Sequence, residues 1–109
     1  MMFEINNIPW KICVVSANDG VLLRSNGVPS VGVTDNQTKT IYISDLLSRD
    51  FLEKVVSHEL VHAFSFSYGL YIPIDTEEQI ADFLATYGRE VFDLADSLLS
   101  DLLGVKKVV

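Results

Sequence analysis

The sequence predicts an α+β fold in which a small, three-stranded and mostly antiparallel sheet packs on two helices. Three observations lead to this prediction. Short segments rich in β-branched and aromatic residues lie before residue 45, two long segments with helical periodicity follow, and a loop containing Gly69 and Pro73 separates them. With 109 residues, of which 49% are hydrophobic, the chain suffices for one domain with its own core, spanning residues 1–109.

Three strands are expected ahead of the helices. Residues 10–17 form an apolar run, which the turn-forming residues 18–20 terminate. Residues 28–34 and 40–43 are two further candidates, and the polar segment between them predicts a hairpin. The second strand of this hairpin therefore ends just before the first helix begins.

The first helix is expected to start near Phe51 and to stop before Gly69. Asp50 and, three residues later, Glu53 resemble a capping box, and glycine commonly follows the last turn of a helix. Apolar residues leave little of the circumference polar, so we expect this helix to lie in the interior of the domain.

The second helix is expected to begin at Thr76, with Gln79 completing its cap, and to run to about Leu103. Gly104 would end it and leave residues 105–109 as a short, strand-prone tail. A main apolar stripe, most simply explained as core, comprises Ile80, Leu84, Tyr87, Val91, Leu94 and Leu98.

The first helix contains the sequence His-Glu-Leu-Val-His, from His58 to His62. Residues four apart lie on one helix face, so both imidazoles can converge on one metal ion, and this spacing is typical of zinc sites. Glu59 is rotated by roughly 100° from His58, beside the place of a metal-activated water, where a general base would act. The pattern predicts one Zn²⁺ ion and hydrolytic chemistry.

The third protein ligand is not determined by this motif. Both histidines of the chain are already used, so the ligand is a carboxylate or, failing that, Cys13. Glu77, Glu78 and Asp82 lie at the start of the second helix. Glu78 and Asp82 flank a strip of small residues that would allow close helix packing, whereas Glu77 lies near the apolar stripe, so the helical wheel leaves the choice open.

The second helix carries a more specific pattern, formed by Glu78, Ala81, Asp82, Leu84 and Ala85. It resembles the glutamate helix of gluzincins such as thermolysin, and that of the ImmA/IrrE-type peptidases of phages and mobile elements. In length the chain is similar to minigluzincins. The resemblance implies a minimal zincin-like metallopeptidase domain with Glu78 as third ligand. It also implies that Asp82 accepts a hydrogen bond from His58 and orients its ring.

The resemblance extends to the strand ahead of the first helix. Ile41, Tyr42 and Ile43 look like the edge strand that aligns the substrate in these families. Thermolysin-like gluzincins also use a distant histidine to stabilise the oxyanion, and this chain has none. Tyr68, Tyr71 and Tyr87 are the candidates to replace it, with Tyr71 preferred for its position in the loop.

Two functions from different classes follow. The first is a zinc-dependent peptidase that hydrolyses peptide bonds in a peptide or protein substrate, with Glu59 as general base. The alternative is a catalytically weak or inactive zinc-binding accessory protein of a phage or mobile element, which would act by binding a partner. The sequence leaves the natural substrate and the oligomeric state open.

Charge and composition argue against other classes. The net charge is −7, with no basic patch beyond Lys106 and Lys107, which disfavours nucleic acid as a partner. No apolar run approaches the length that spans a bilayer. The N-terminal residues lack the pattern of a signal peptide, and a lone cysteine fits a reducing compartment, so the expected location is the cytoplasm.

Overall fold

The computed structural model describes residues 1–24 and 26–107 of the chain. The expected α+β class is confirmed, with strands first and helices second. The elements in chain order are β1 (Met2–Ile5), β2 (Ile8–Val15), a short 3₁₀ turn (Gly20–Leu22), β3 (Gly32–Asp35), β4 (Thr40–Ser44), α1 (Arg49–Tyr68) and α2 (Ile74–Lys107).

Among the described residues the sheet has four strands in the order β1-β2-β4-β3, so the prediction of three strands is wrong. β1 pairs with β2 and β3 pairs with β4 in antiparallel fashion, whereas the central pair, β2 and β4, is parallel. The hairpin expected between β3 and β4 is present. Its first strand is shorter than the expected residues 28–34, because the chain before Gly32 forms turns instead.

The strand that was missed, β1, is joined to β2 by a two-residue turn. Asn6 and Asn7 both adopt positive φ angles, 52° and 63°. This is the left-handed conformation that tight hairpin turns require and that asparagine tolerates better than most residues. The turn also contacts α1, because the Asn6 side-chain amide donates to the Ser67 carbonyl at 3.1 Å.

The core lies between one face of the sheet and α1. Trp10, Ile41 and Ile43 are at most 1% exposed, and Val55 and Ala63 of α1 pack against them. The Trp10 indole N–H donates to the Ser67 hydroxyl at 2.8 Å, so the one polar atom of this large ring is satisfied. These contacts set the position of α1 relative to the strands.

α1 ends as expected, since Gly69 follows it in the left-handed conformation with a φ of 58°. At its start, the Ser48 hydroxyl accepts from the Phe51 backbone N–H, so Ser48 is the cap and the expected role of Asp50 is wrong. The expectation that this helix lies in the interior holds for one face only. Phe51, Phe64 and several other apolar residues of α1 are 36–52% exposed, because the described residues cover the helix mainly with the sheet and α2.

α2 is longer than expected at both ends. The Glu77 N–H donates to the Pro73 carbonyl at 2.9 Å, which starts the helix one half-turn before Thr76. The helix continues through Gly104 to Lys107, so residues 105–107 are helical instead of strand-like, and residues 108–109 lie outside the described part of the chain. Within residues 1–24 and 26–107, no helix combines the length and apolarity needed to cross a membrane.

The second half of α2 projects from the rest of the molecule. All side chains of residues 89–103, here called the α2 arm, are exposed. The longest dimension of the molecule is accordingly 62 Å, against 31 and 28 Å in the other directions. The prediction that the apolar stripe is core is therefore wrong for most of its members. Five of them are 37–58% exposed and only Leu84 is half-buried, and no described element covers the stripe from Val91 onward.

Candidate metal centre

Three side chains converge where α1 meets the first turns of α2. The Nε2 atoms of His58 and His62 lie 3.2 Å apart. The two carboxylate oxygens of Glu78 face them, one 3.2 Å from the His58 Nε2 and the other 2.8 Å from the His62 Nε2. One ligand atom from each of the three residues lies within 4.8 Å of the other two.

The approach of α2 to α1 depends on small residues. Ala81 is fully buried one turn after Glu78, and Gly88 is buried two turns later. Small side chains allow two helix backbones to come close. The strip of small residues on α2 therefore allows the close packing that brings Glu78 to the two histidines.

The opposite edges of both imidazole rings are also held by carboxylates. The His58 Nδ1 lies 2.9 Å from an Asp82 oxygen, and the His62 Nδ1 lies 2.6 Å from a Glu77 oxygen. The second oxygen of Glu77 accepts a 2.6 Å hydrogen bond from the Ser65 hydroxyl. These contacts favour the tautomer in which Nδ1 carries the hydrogen and donates to the carboxylate. Each Nε2 then has a free lone pair that can bind a metal.

This arrangement fits a cation. Two Nε2 lone pairs and a carboxylate are all acceptors, and acceptors that face one another at about 3 Å repel unless a positive charge lies among them. Two imidazoles and one carboxylate are also a ligand set that Zn²⁺ uses in catalytic sites, where a fourth position is left open. The chemistry of the donor set therefore suits a divalent metal bound by His58, His62 and Glu78.

Glu59 lies beside this cluster and is only 8% exposed. One carboxylate oxygen accepts from the Thr34 hydroxyl at 2.9 Å, and the other lies 3.9 Å from the His58 Nε2. Burial raises the pKa of the Glu59 carboxyl above its ordinary value, although the Thr34 hydrogen bond and the nearby histidines act in the opposite direction. The geometry thus orients one oxygen of Glu59 towards the convergence point of the imidazoles.

The cluster opens into two adjoining cavities. One, of about 520 Å³, is lined by His58, Glu59, His62 and Glu78 together with β3 residues. The other, of about 220 Å³, extends from His58 and Glu59 towards Lys54. Arg24 lines both cavities, so this part of an otherwise acidic protein presents a positive charge beside the cluster.

β3 approaches α1 closely at this point because it has a glycine there. A Cβ atom on Gly32 would lie 2.7 Å from Val55 Cγ1 and 3.0 Å from Glu59 Cγ. Both distances are shorter than ordinary van der Waals contact, so a side chain at this position would displace the helix or the strand. Gly32 therefore allows Thr34, two residues along, to reach Glu59.

The structure separates the acids that sequence reasoning left as alternatives. Glu78 lies at the Nε2 side of both histidines, whereas Glu77 is buried on the Nδ1 side of His62 and faces away from the convergence point. Asp82 lies against the His58 Nδ1, at the position that the gluzincin resemblance implies for it. Cys13 belongs to β2 and is not a member of the cluster.

The prediction that Ile41, Tyr42 and Ile43 form a substrate-aligning edge strand is wrong. They belong to β4, which lies between β2 and β3, so neighbouring strands occupy both of its edges. Ile41 and Ile43 are also at most 1% exposed. The edge strand next to the cluster is β3, whose Gly32, Val33 and Thr34 line the larger cavity.

The tyrosines expected near the reacting groups do not line either cavity at the cluster. Tyr71 is 95% exposed and borders a separate depression on the Glu77 side of α1. Tyr71 lies in the middle of the loop between α1 and α2 and has a positive φ of 53°. Tyr68 stacks on Phe64, and Tyr87 packs near Phe83. The geometry gives the expected catalytic role of Tyr71 no support.

Sequence reasoning missed four groups around the cluster: Thr34, Arg24, Ser65 and the orienting position of Glu77. Only Glu77 had a usable signal, because the helical wheel placed it beside the apolar stripe, a direction that usually leads to the interior. Thr34 and Arg24 come from segments distant along the chain, and their proximity to Glu59 depends on the sheet. No family model matches the chain, and no curated protein or solved structure is detectably similar to it.

Proposed function

We propose that the protein is a zinc-dependent peptidase whose metal is held by His58, His62 and Glu78. The observation that carries this proposal is the convergence of both Nε2 atoms and the Glu78 carboxylate, with a second carboxylate on the Nδ1 of each ring. A purely structural cluster of buried polar groups would not need both rings oriented towards the same point.

A zinc ion bound there would polarise a carbonyl and lower the pKa of a water molecule towards neutrality. Glu59 would take the proton of the attacking water and pass it to the departing amine of the cleaved peptide. Thr34 holds one oxygen of Glu59, and this leaves the other oxygen for proton transfer. That second oxygen lies 3.9 Å from the His58 Nε2, a position that suits such a role.

The substrate in this proposal is an extended peptide that adds to the outer edge of β3. That edge has no neighbouring strand among the described residues, and Gly32 to Thr34 line the cavity at the cluster. Backbone pairing along an edge strand gives affinity with little sequence preference. β3 thus takes the role that the sequence suggested for β4.

Arg24 is the group that the cavities offer for the developing negative charge on the carbonyl oxygen. Its side chain borders both cavities beside His58 and Glu59, where Tyr71 is absent. A guanidinium beside a developing oxyanion can stabilise its negative charge.

For the compartment, we keep the cytoplasm as a proposal that rests on the lone Cys13.

Two substitutions with matched controls test the proposal. Glu59→Gln should retain stoichiometric zinc and lose at least roughly 100-fold in the rate of peptide hydrolysis, because the general base is removed while the ligands stay. Glu78→Ala should lose the metal itself. Glu53→Gln on α1 and Glu90→Ala on α2 remove exposed acids from the same helices and should change neither property.

The readouts are metal content by mass spectrometry and cleavage of a mixed peptide library. Wild-type protein purified with zinc present but without bound metal would contradict the proposal. Cleavage that is equal in wild type and Glu59→Gln would contradict the role of Glu59. Stoichiometric metal without any cleavage would favour the alternative, an accessory protein that binds a partner, and the exposed α2 arm is the feature that supports this second candidate.

A further inference from the structure

The α2 arm has one apolar and one polar face. Its large apolar side chains lie within about half of the helix circumference, while the acids and serines occupy the rest. The apolar members and Tyr87 just before them are about half exposed: Tyr87 51%, Val91 45%, Phe92 61%, Leu94 58%, Leu98 53%, Leu99 54%, Leu102 62% and Leu103 47%.

This surface is too large for an ordinary solvent-facing patch. Eight large side chains at about half exposure amount to several hundred Å², which approaches the roughly 800 Å² that each partner contributes to a standard protein interface. Isolated exposed leucines are common, but a continuous apolar face of this extent marks a contact surface.

The apolar face continues into a groove between α1 and the first half of α2. This helix groove has a volume of about 470 Å³, and its apolar lining includes Leu60, Val61 and Phe64 of α1 and Leu84 and Phe92 of α2. Phe92 belongs to both the groove and the arm. The apolar surfaces of the arm and of the groove therefore adjoin each other at Phe92.

Charge disfavours a lipid surface, and Arg89 offers one contact of opposite sign to the acidic arm of a second copy. The polar face of the arm carries Arg89 and four acids, Glu90, Asp93, Asp96 and Asp101, so anionic headgroups would be repelled. Arg89 lines the helix groove, where it would meet an acidic arm from another molecule. Charges at the edge of an apolar contact select the partner and its orientation.

We propose that two copies of the chain associate about a two-fold axis, with the arm of each packed on the helix groove and arm of the other. A two-fold exchange covers both apolar surfaces of both copies, whereas a contact between arms alone would leave the grooves open. The half-circumference width of the apolar face fits a helix that contacts more than one neighbour. This inference is independent of the proposed peptidase activity.

The test is sedimentation velocity of the full chain across roughly 1 to 100 μM. Wild type should sediment as a dimer at the upper concentrations. Leu98→Glu should raise the dissociation constant roughly 30-fold or more, because it places a charge in the centre of the apolar face. Ser97→Glu is the matched control, since it adds the same charge next to Leu98 on the polar face and should leave the dimer intact.

Phe64→Glu separates the groove from the arm. Phe64 lies on α1, is 47% exposed and lines the helix groove, so its replacement should weaken the dimer if the arm of the partner packs there. Circular dichroism checks that each variant folds. Leu94→Asn is a milder second variant of the arm, included in case Leu98→Glu disturbs the helix. It should also weaken the dimer.

Several outcomes would overturn the inference. A wild-type monomer at 100 μM would remove the second copy as occupant, and co-sedimentation of that monomer with anionic vesicles would assign the arm to membranes instead. A dimer unaffected by both arm variants would mean that the contact lies elsewhere. A dimer that Leu98→Glu disrupts and Phe64→Glu does not would exclude the groove as the receiving surface.

Discussion

The two halves of α2 differ in which side chains are buried. In the first half, at the cluster, an acid is buried: Glu77 is only 5% exposed. In the α2 arm, large apolar side chains are exposed, with Leu102 at 62% and Phe92 at 61%. The same helix thus inverts the usual rule within a few turns. Burial in this protein follows the partners that a side chain finds, and residue type alone does not decide it.

The difference has a physical cause in the neighbours of each half. Glu77 accepts short hydrogen bonds from the His62 ring and the Ser65 hydroxyl, so both of its oxygens have partners after they leave water. No described element covers the leucines of the arm, because the part of α2 just before it already lies beside the first turns of α1. We propose a different partner for each half: a cation for the cluster and an apolar surface for the arm.

Metal removal should have the largest effect, and it should separate the two halves. A ligand present at 1,000 times its dissociation constant stabilises the native state by about 4 kcal/mol, which corresponds to roughly 10 °C or more in Tm for a domain of this size. We expect a drop of this order on chelation, measured by differential scanning calorimetry. Hydrogen exchange should increase at residues 55–85 and much less in the arm. Equal Tm values with and without chelator would mean that the cluster needs no cation.

A side chain at Gly32 should destabilise the site half without affecting the arm. Gly32→Ala puts a Cβ atom 2.7 Å from Val55 Cγ1 and near Glu59, and overpacking of this kind costs about 1–3 kcal/mol in the free energy of unfolding. Gly20→Ala is the control, because a Cβ there would meet nothing within 4 Å. Urea unfolding measures both. Identical stability of the two variants would show that β3 does not press on α1.

Replacement of Glu77 should lower the zinc affinity of the cluster, whereas the same replacement in the arm should not. Glu77→Gln keeps the shape but replaces one acceptor oxygen with an amide, so the His62 ring or the Ser65 hydroxyl loses its partner. Loss of a partner that orients a metal ligand typically lowers metal affinity 10- to 100-fold, or about 1.4 to 2.7 kcal/mol. Glu90→Gln makes the same change on the exposed arm and should leave zinc affinity, measured by chelator competition, unchanged. A similar affinity in both variants would contradict the orienting role of Glu77.

Much of the site could be predicted from local spacing. His58 and His62 lie one turn apart on α1, and the glycine that ends this helix is in the expected left-handed conformation. Such features depend on residues within a few positions of each other, where helix geometry relates sequence to space directly. The choice between Glu77 and Glu78 was different, because two adjacent residues point in directions about 100° apart and only the position of α1 distinguishes them.

The sheet shows where prediction from local pattern fails. The sequence analysis does not predict β1, because the strand has four residues and most of them are not buried. The better signal is the Asn6-Asn7 turn that follows it. β4 was expected at an edge, yet its residues are the most buried of the sheet. A strand sequence reports how apolar its surroundings are, but the neighbour on each side is a property of strands distant along the chain.

The sequence by itself determined the α+β class, the helix that carries both imidazoles and the acids available to join them. Only the tertiary structure decided that β3 is the edge strand, that the Thr34 hydroxyl reaches Glu59, that Arg24 lines the same cavities, and that the apolar stripe of α2 is mostly surface. The physical reason is range. Helix periodicity and capping act over a few residues, whereas these other features arise from packing between segments tens of residues apart, which no local pattern records.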